Sequence, residues 1–217
     1  MDLSGLYSRR FTEYERARML RVWQVLVERF FQRFIRPDGV VLDLGAGTCE
    51  FINAVKAARR IAVDANPEVK TAADRGVEAI VSSDLSLSFL PDASLTHVFM
   101  SNFLEHLDGP EAVCEVLTAV RRKLAPGGTA LILQPNFRFV KWAYFDFLDH
   151  RVVLTERSLA EALAQAGLEI EYLKKRFLPY TSKSRIPKSP ALVRLYLTLP
   201  PLQWLFGKQS FILARRP

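Results

Sequence analysis

The chain has 217 residues, 49% of them hydrophobic and 24% charged, which fits one globular domain with a substantial core. Its two cysteines make neither a disulfide framework nor a zinc pattern, no apolar run approaches the roughly 18 residues that span a bilayer, and MDLSGLYSRRF has no signal-peptide core, so a reducing, cytoplasmic setting is expected. The net charge of +7 is uneven: ten of the 30 basic residues and none of the 23 acids lie from Tyr172 onward, which suits either an anionic partner or a solvated basic face.

In chain order, residues 11–35 carry Trp23, Leu26, Val27, Phe30, Phe31 and Phe34 at helical spacing, and Pro37-Asp38-Gly39 ends the helix. Strands and helices then alternate. Strands are expected at 40–44, 60–64, 78–81, 95–100 and 129–133, and helices at 51–58, 67–75 and 110–124, with Pro126-Gly127-Gly128 as a turn. Asn136 to His150 is rich in aromatics. Thr155 is expected to cap a helix over 156–166, which Gly167 stops. The last strands fall at 168–173 and 210–214, separated by a basic, Pro-rich insertion, 177–208. Such alternation predicts a parallel sheet with helices on both faces.

The stretch VVLDLGAGTCE, residues 40–50, is a buried strand, a tight turn and a helix start. Gly45 and Gly47 admit left-handed backbone and present no Cβ to a ligand. The helix N-terminus would favour a carboxylate or phosphate. Asp43 would point a carboxylate at the ligand, which suits one that carries an amine. Glu50 occupies the third position of the dinucleotide pattern G-x-G-x-x-G and argues against a pyrophosphate. A glycine-rich turn that binds nothing is the plainer alternative. Ligands of open parallel sheets lie beyond the carboxyl ends of strands. Asp64 ends the second strand and could accept from both hydroxyls of a ribose. Asp84 and Leu85 follow the third and could meet an adenine, and Ser101-Asn102 ends the fourth. Each could instead cap a turn.

At VLDLGAG, IAVDANPE, SSDLSLSFLPDASLTHVFMSNFLEHL and LAPGGTALILQPN the sequence resembles the class I S-adenosylmethionine-dependent methyltransferases, whose motifs these match in order over Val40 to Asn136. The resemblance implies a Rossmann-like three-layer sandwich. Its seven-stranded sheet would be mostly parallel with an antiparallel last strand, in a single domain. Residues 1–38 would form an N-terminal lid helix with Tyr7 or Tyr14 near the cofactor, 39–136 the cofactor core and 137–217 the substrate side. It implies S-adenosylmethionine as cofactor and S-adenosylhomocysteine as product. Asp43 with Gly45, Ala46 and Gly47 would hold the methionine part, Asp64 with Ala65 the ribose, Asp84 with Leu85 the adenine, and Asn102 would complete the set. The family often has a third glycine where this chain has Cys49.

Methyl transfer from a sulfonium needs mainly an aligned nucleophile, and a base only if the nucleophile starts protonated. His97 falls inside a strand pattern and reads as structural. His150 and His106 are the candidate bases. Some relatives bind a divalent metal through Glu-x-x-Glu-His; here the first position is Asn102, and no metal is expected. The acceptor is expected to be a small or lipid-linked, phosphate-bearing molecule, methylated at oxygen. WAYFDFLDH could line its pocket, and Arg176, Lys183 and Arg185 could hold a phosphate. ALVRLYLTLPPLQWLFGK suits either a helical cover or a peripheral membrane contact, which would place the protein at the membrane surface. No RNA-binding module or base-reading motif accompanies the core, so a nucleic-acid partner is not expected. An RNA methyltransferase, a non-catalytic cofactor-binding or partner-docking protein and an NAD oxidoreductase are the rival readings.

Overall fold

The computed structural model describes residues 13–180 and 189–217. The described residues form two compact units, one of residues 13–83 with 189–200 and the other of 84–180 with 201–217. The first unit begins with α1 (Glu13–Arg29) and a 3-10 turn (Phe31–Phe34), followed by β1 (Val40–Leu44), α2 (Glu50–Ala54), β2 (Arg59–Asp64), α3 (Val69–Ala72) and β3 (Val77–Val81). The second contains β4 (Leu95–Ser101), α4 (Pro110–Lys123), β5 (Leu124–Pro135), α5 (Phe137–Val140), a 3-10 stretch (Lys141–Asp146), α6 (Glu156–Gln165) and β6 (Glu169–Lys174). Then come α7 (Pro190–Thr198), α8 (Pro200–Phe206) and β7 (Gln209–Arg215). The strand order is β3-β2-β1-β4-β5-β7-β6. β1, β2 and β3 pair in parallel, as do β4 and β5, while β7 runs antiparallel to both β5 and β6. This is the mostly parallel, helix-flanked architecture that the alternation predicts.

Within the first unit, Val41, Leu42, Ile61, Ala62 and Val63 are buried, so β1 and β2 read as near-continuous apolar runs. α1 packs on α2 and α7. It ends at Arg29, six residues short of the helix expected from periodicity. Phe30 leaves helical geometry at φ −133°, ψ −58°, and the next turn tightens to 3-10. The tightening seats Phe31, fully buried, with its ring centroid 6.0 Å from both Trp23 and Phe51. Core packing therefore overrides the local helical period. Tyr7 and the side chain of Tyr14 lie outside the described residues, as do Lys183 and Arg185 of the insertion.

In the second unit the expected turn at Pro126-Gly127-Gly128 lies inside β5. Leu95 pairs with Leu124 but His97 pairs with Thr129, so the extra residues of β5 bulge out between those two pairs. The Gly127 amide donates to Arg216 O at 2.9 Å and the Arg216 amide to Gly128 O at 2.9 Å, which keeps the bulge in the sheet. Thr155 caps α6 in a capping box with Ser158, as its position predicts.

Candidate active site

β1 carries Asp43 into a dry interior, where it is 3% exposed. Burial, Glu50 and Asp64, in that order, disfavour its charge, and the backbone at Ile52 favours it less strongly. The Asp43 carboxyl is held well above the usual carboxylate range, and burial is the main cause. The turn that follows folds onto β2. The amides of Gly45 and Ala46 both donate to Val63 O, at 2.9 and 3.0 Å. Asp64 pins the same turn: its Oδ2 accepts from the Gly47 amide at 2.7 Å, and its Oδ1 from the Asn66 amide at 2.8 Å. A carboxylate offers about four lone-pair directions, so each Asp64 oxygen keeps acceptor capacity for a vicinal diol. Gly47 stands at φ +51°, and a Cβ there would meet nothing within 4 Å. The backbone at this turn is thus open to a ligand, with Ala46 buried behind it and Ala65 exposed beside Asp64.

Two details bear on the sequence-based expectation. α2 has only five residues, so its N-terminus is a short one for holding an external anion. Cys49, where the family often has its third glycine, precedes α2 at φ +62°, the left-handed region that favours glycine. The position of the family's third glycine is thereby explained, and Cys49 takes it at some conformational cost. A separate cavity of about 280 Å³ lies on the helical side of this unit, lined in part by Leu20, Gln24, Thr48 and Glu50 but by neither Asp43 nor Asp64.

In the second unit, Asp84 accepts from the amide and hydroxyl of Ser86 at 2.9 and 2.5 Å, and from the amide and hydroxyl of Ser88 at the same distances. These bonds, led by the Ser86 and Ser88 hydroxyls, hold its carboxyl below the usual range. Four donors fill its lone pairs. The side chain expected to meet an adenine amino group is therefore a turn cap, with Leu85 half-buried in the same turn. Asn102 sits at φ +49°; its Oδ1 accepts from Gln209 Nε2 at 2.9 Å, and its Nδ2 donates to Ser101 Oγ at 3.2 Å. Its side chain fastens the end of β4 to the start of β7.

Past β4, a 3-10 turn (Leu104–His106) assembles a polar cluster. Glu105 is 1% exposed, and burial pushes its carboxyl up. Its Oε2 accepts from Gln134 Nε2 at 3.0 Å, and its Oε1 has no hydrogen-bond partner among the described residues. His106 Nδ1 lies 3.0 Å from the Asp149 carbonyl, which can only accept, so Nδ1 carries the proton. Nε2 of the same ring stands 4.0 Å from Glu105 Oε1. His150 packs its ring 5.1 Å from His106, 4.6 Å from Tyr144 and 5.1 Å from Phe147. The two histidines proposed as bases thus meet. Ligand atoms of Glu105, His106 and His150 lie within 4.8 Å of one another. One carboxylate and two imidazoles can pass a proton or hold a divalent transition cation. Sequence reasoning missed Gln134 and Asp149. Gln134 could have been found by the strand-tip rule, because QPN closes β5. His97 is structural as expected, with its Nδ1 2.8 Å from Thr129 Oγ1.

Comparison with known proteins shows the family and the fold. A family model described as a methyltransferase domain matches residues 14–173. The chain is 32% identical over 163 residues to the carboxy-S-adenosyl-L-methionine synthase of Ectopseudomonas mendocina, covering 66% of this chain and 62% of that protein. It is 25% identical over 123 residues to a human protein named "probable tRNA methyltransferase 9B", covering 56% of this chain and 26% of that one. It therefore spans less than two thirds of either curated relative. The crystal structure of an S-adenosylmethionine-dependent methyltransferase from Archaeoglobus fulgidus shares the fold, with a TM-score of 0.64 and 22% identity over 88% of this chain and 92% of that one. The chain belongs to the methyltransferase-domain family, the S-adenosylmethionine-dependent, Rossmann-like class.

Proposed function

We propose that the protein transfers a methyl group from S-adenosylmethionine to a small-molecule or lipid- or phosphate-linked acceptor, most simply at oxygen. The observation that carries this reading is the pair of carboxyl groups at the tips of β1 and β2, joined by an open glycine turn. When bound, the cofactor supplies a methyl already activated on a sulfonium. Asp43 would hold the cationic methionine part, with the Gly45-Ala46-Gly47 backbone alongside. Asp64, with Ala65 beside it, would take the ribose hydroxyls on the lone pairs its turn leaves unused. Asp84, Leu85 and Asn102 would contribute to the adenine end through backbone groups and shape, because the Asp84 and Asn102 side chains are already bonded. His150, or His106 beside it, would take the proton of an acceptor hydroxyl. The reaction would leave S-adenosylhomocysteine and a methylated acceptor.

Asp43 gives this reading a pH signature. Its folded carboxyl keeps a proton in a range where an unfolded aspartate, near pH 3.9, has lost it. Stability therefore falls as pH climbs from the unfolded value until the folded group ionises, and levels off above it. A cationic ligand selects the ionised form. Affinity for S-adenosylhomocysteine should rise with pH through that window and then plateau, with proton release on binding. Asp43→Asn should flatten the profile, and 5′-methylthioadenosine, which lacks the amine, should show no such slope. Calorimetric titration in buffers of different ionisation enthalpy reads all three. A flat profile in the parent protein would remove Asp43 from the site.

Turnover is tested by incubating the protein with isotopically labelled S-adenosylmethionine and fractionated cell extract, then identifying the labelled species by mass spectrometry. His150→Ala should lower turnover about 10²-fold or more, the scale of general-base catalysis, with cofactor affinity nearly unchanged. Turnover that survives chelation assigns the cluster to proton transfer, whereas loss on chelation and recovery with a divalent cation would replace the base reading. A second reading, RNA as acceptor, draws on the similarity to the human tRNA-methyltransferase-named protein and on the basic C-terminal quarter. It requires label in the RNA fraction and steeply salt-dependent binding.

A further inference from the structure

The second unit leaves large apolar side chains in water that neither its core nor the proposed chemistry uses. Trp142 is 81% exposed, Leu148 79% and Trp204 70%, and Phe145, Leu205 and Phe206 are exposed as well. Such residues scattered singly need no explanation, but a connected group does. Several of these are linked by ring and cation contacts. The Trp142 ring lies 6.3 Å from Phe145, and Phe145 5.8 Å from Phe137, all on the 137–150 segment. The Arg176 guanidinium then bridges that segment to α8, standing 4.4 Å from the centroid of Phe139 and 5.6 Å from that of Trp204, and it donates to the Trp204 carbonyl. The rim is basic. Arg138, Lys141, Lys175 and Lys208, on these segments or next to them in sequence, are exposed, against the exposed acids Asp146 and Glu171, and Arg138 stands 3.8 Å from Glu156. No helix among the described residues is long and apolar enough to cross a membrane.

We propose that this aromatic, cation-rimmed face docks peripherally on an anionic lipid surface, with Trp142, Leu148, Trp204 and Leu205 entering the interface and the basic rim meeting headgroups. Tryptophan is suited to the boundary between hydrocarbon and headgroups, and Lys and Arg beside it add attraction to anionic lipid. Charge distinguishes this occupant from the others. A second copy of the chain across a two-fold contact would set one basic rim against the other. A nucleic acid would call for a predominantly polar, positive centre; here one guanidinium, Arg176, stands between two rings, and the most exposed side chains, Trp142, Leu148 and Trp204, are apolar.

The test is co-sedimentation of the full chain with phosphatidylcholine vesicles, with and without phosphatidylglycerol. Binding should be at least about tenfold tighter to the anionic vesicles and should weaken with salt. The Trp142→Ala/Trp204→Ala double variant should lose at least about tenfold in vesicle affinity. Its thermal midpoint and S-adenosylhomocysteine affinity should match the parent, because both side chains lie outside the core and the cofactor turn. Leu148→Ser/Leu205→Ser should reproduce the loss without removing a ring. No preference for anionic vesicles, or a preference that both double variants retain, would overturn the proposal. So would an RNA oligonucleotide bound more tightly than vesicles with the same dependence on Trp142 and Trp204. A parent dimer that the variants dissolve would assign the face to self-association instead. Vesicle binding is read without turnover, so failure of the methyl-transfer reading would leave its outcome unaffected.

Discussion

Replacing Asp64 with alanine should lower affinity for S-adenosylhomocysteine about 100-fold. Two losses combine in one carboxylate. The first is the pair of lone-pair sites proposed for the ribose. The second is the anchor of the glycine turn, since Oδ2 holds the Gly47 amide at 2.7 Å and Oδ1 the Asn66 amide at 2.8 Å. Hydrogen bonds to a charged acceptor contribute about 1.5–3 kcal/mol each, and each 1.4 kcal/mol is tenfold in affinity, so about 3 kcal/mol is a conservative sum. Asp64→Asn should fall between the two, because its one carbonyl oxygen can hold one of the amides. Calorimetric titration gives the affinities. Amide hydrogen exchange at Gly47 in the cofactor-free protein separates the two losses: faster exchange in Asp64→Ala reports the anchor alone. Unchanged affinity in both variants would remove Asp64 from the ribose role.

Gly207→Ala should destabilise the protein by about 2–3 kcal/mol, within the upper range for forcing a methyl into packed structure. Gly207 sits where the end of α8 crosses the strand-like segment 176–178. A Cβ there would stand 2.4 Å from Gln203 O, 2.7 Å from Arg176 C and 2.9 Å from Phe177 N, all backbone atoms with no rotamer to yield. The crossing is locked on both sides. The Gly207 amide donates to Gln203 O at 2.8 Å, the Lys208 amide to Leu178 O at 2.8 Å, and the Phe177 amide to Gln209 O at 2.7 Å. At roughly 2–4 °C per kcal/mol for a chain of this size, differential scanning calorimetry should record a midpoint lower by about 5–10 °C. A midpoint within a degree of the parent would show that the crossing can open without breaking those bonds.

The strands and the β1 and β2 tips were legible because their signals are local. A buried strand announces itself by an apolar run, and its ligand end by the polar residue that breaks the run; Asp43 and Asp64 follow that rule. What failed were places where distant partners decide. Periodicity carries α1 through Phe34, but Phe31 turns inward for Trp23 and Phe51. Pro-Gly-Gly is a turn by composition and a bulge in fact, because the chain beyond β7 pairs with Gly127 and Gly128. Asp84 is the local exception: it looked available to a ligand, yet the serines two and four residues on take its lone pairs. The polar cluster was half visible. The Glu105-His106 dipeptide is plain in the sequence, whereas its closure by Gln134 and Asp149 needs neighbours 29 and 43 residues away. No spacing rule brings those together.

Cys49 has a consequence for the chemistry of the glycine turn. Its thiol is fully buried, and burial, with Asp43 and the surrounding acids behind it, pushes it up to about 12. Thiolate is the species that oxidants and alkylating agents attack, so in the closed turn this sulfur is chemically silent at neutral pH. It becomes reactive only while the turn is open. Its modification rate therefore counts openings of that turn, and whatever closes the turn should protect the sulfur.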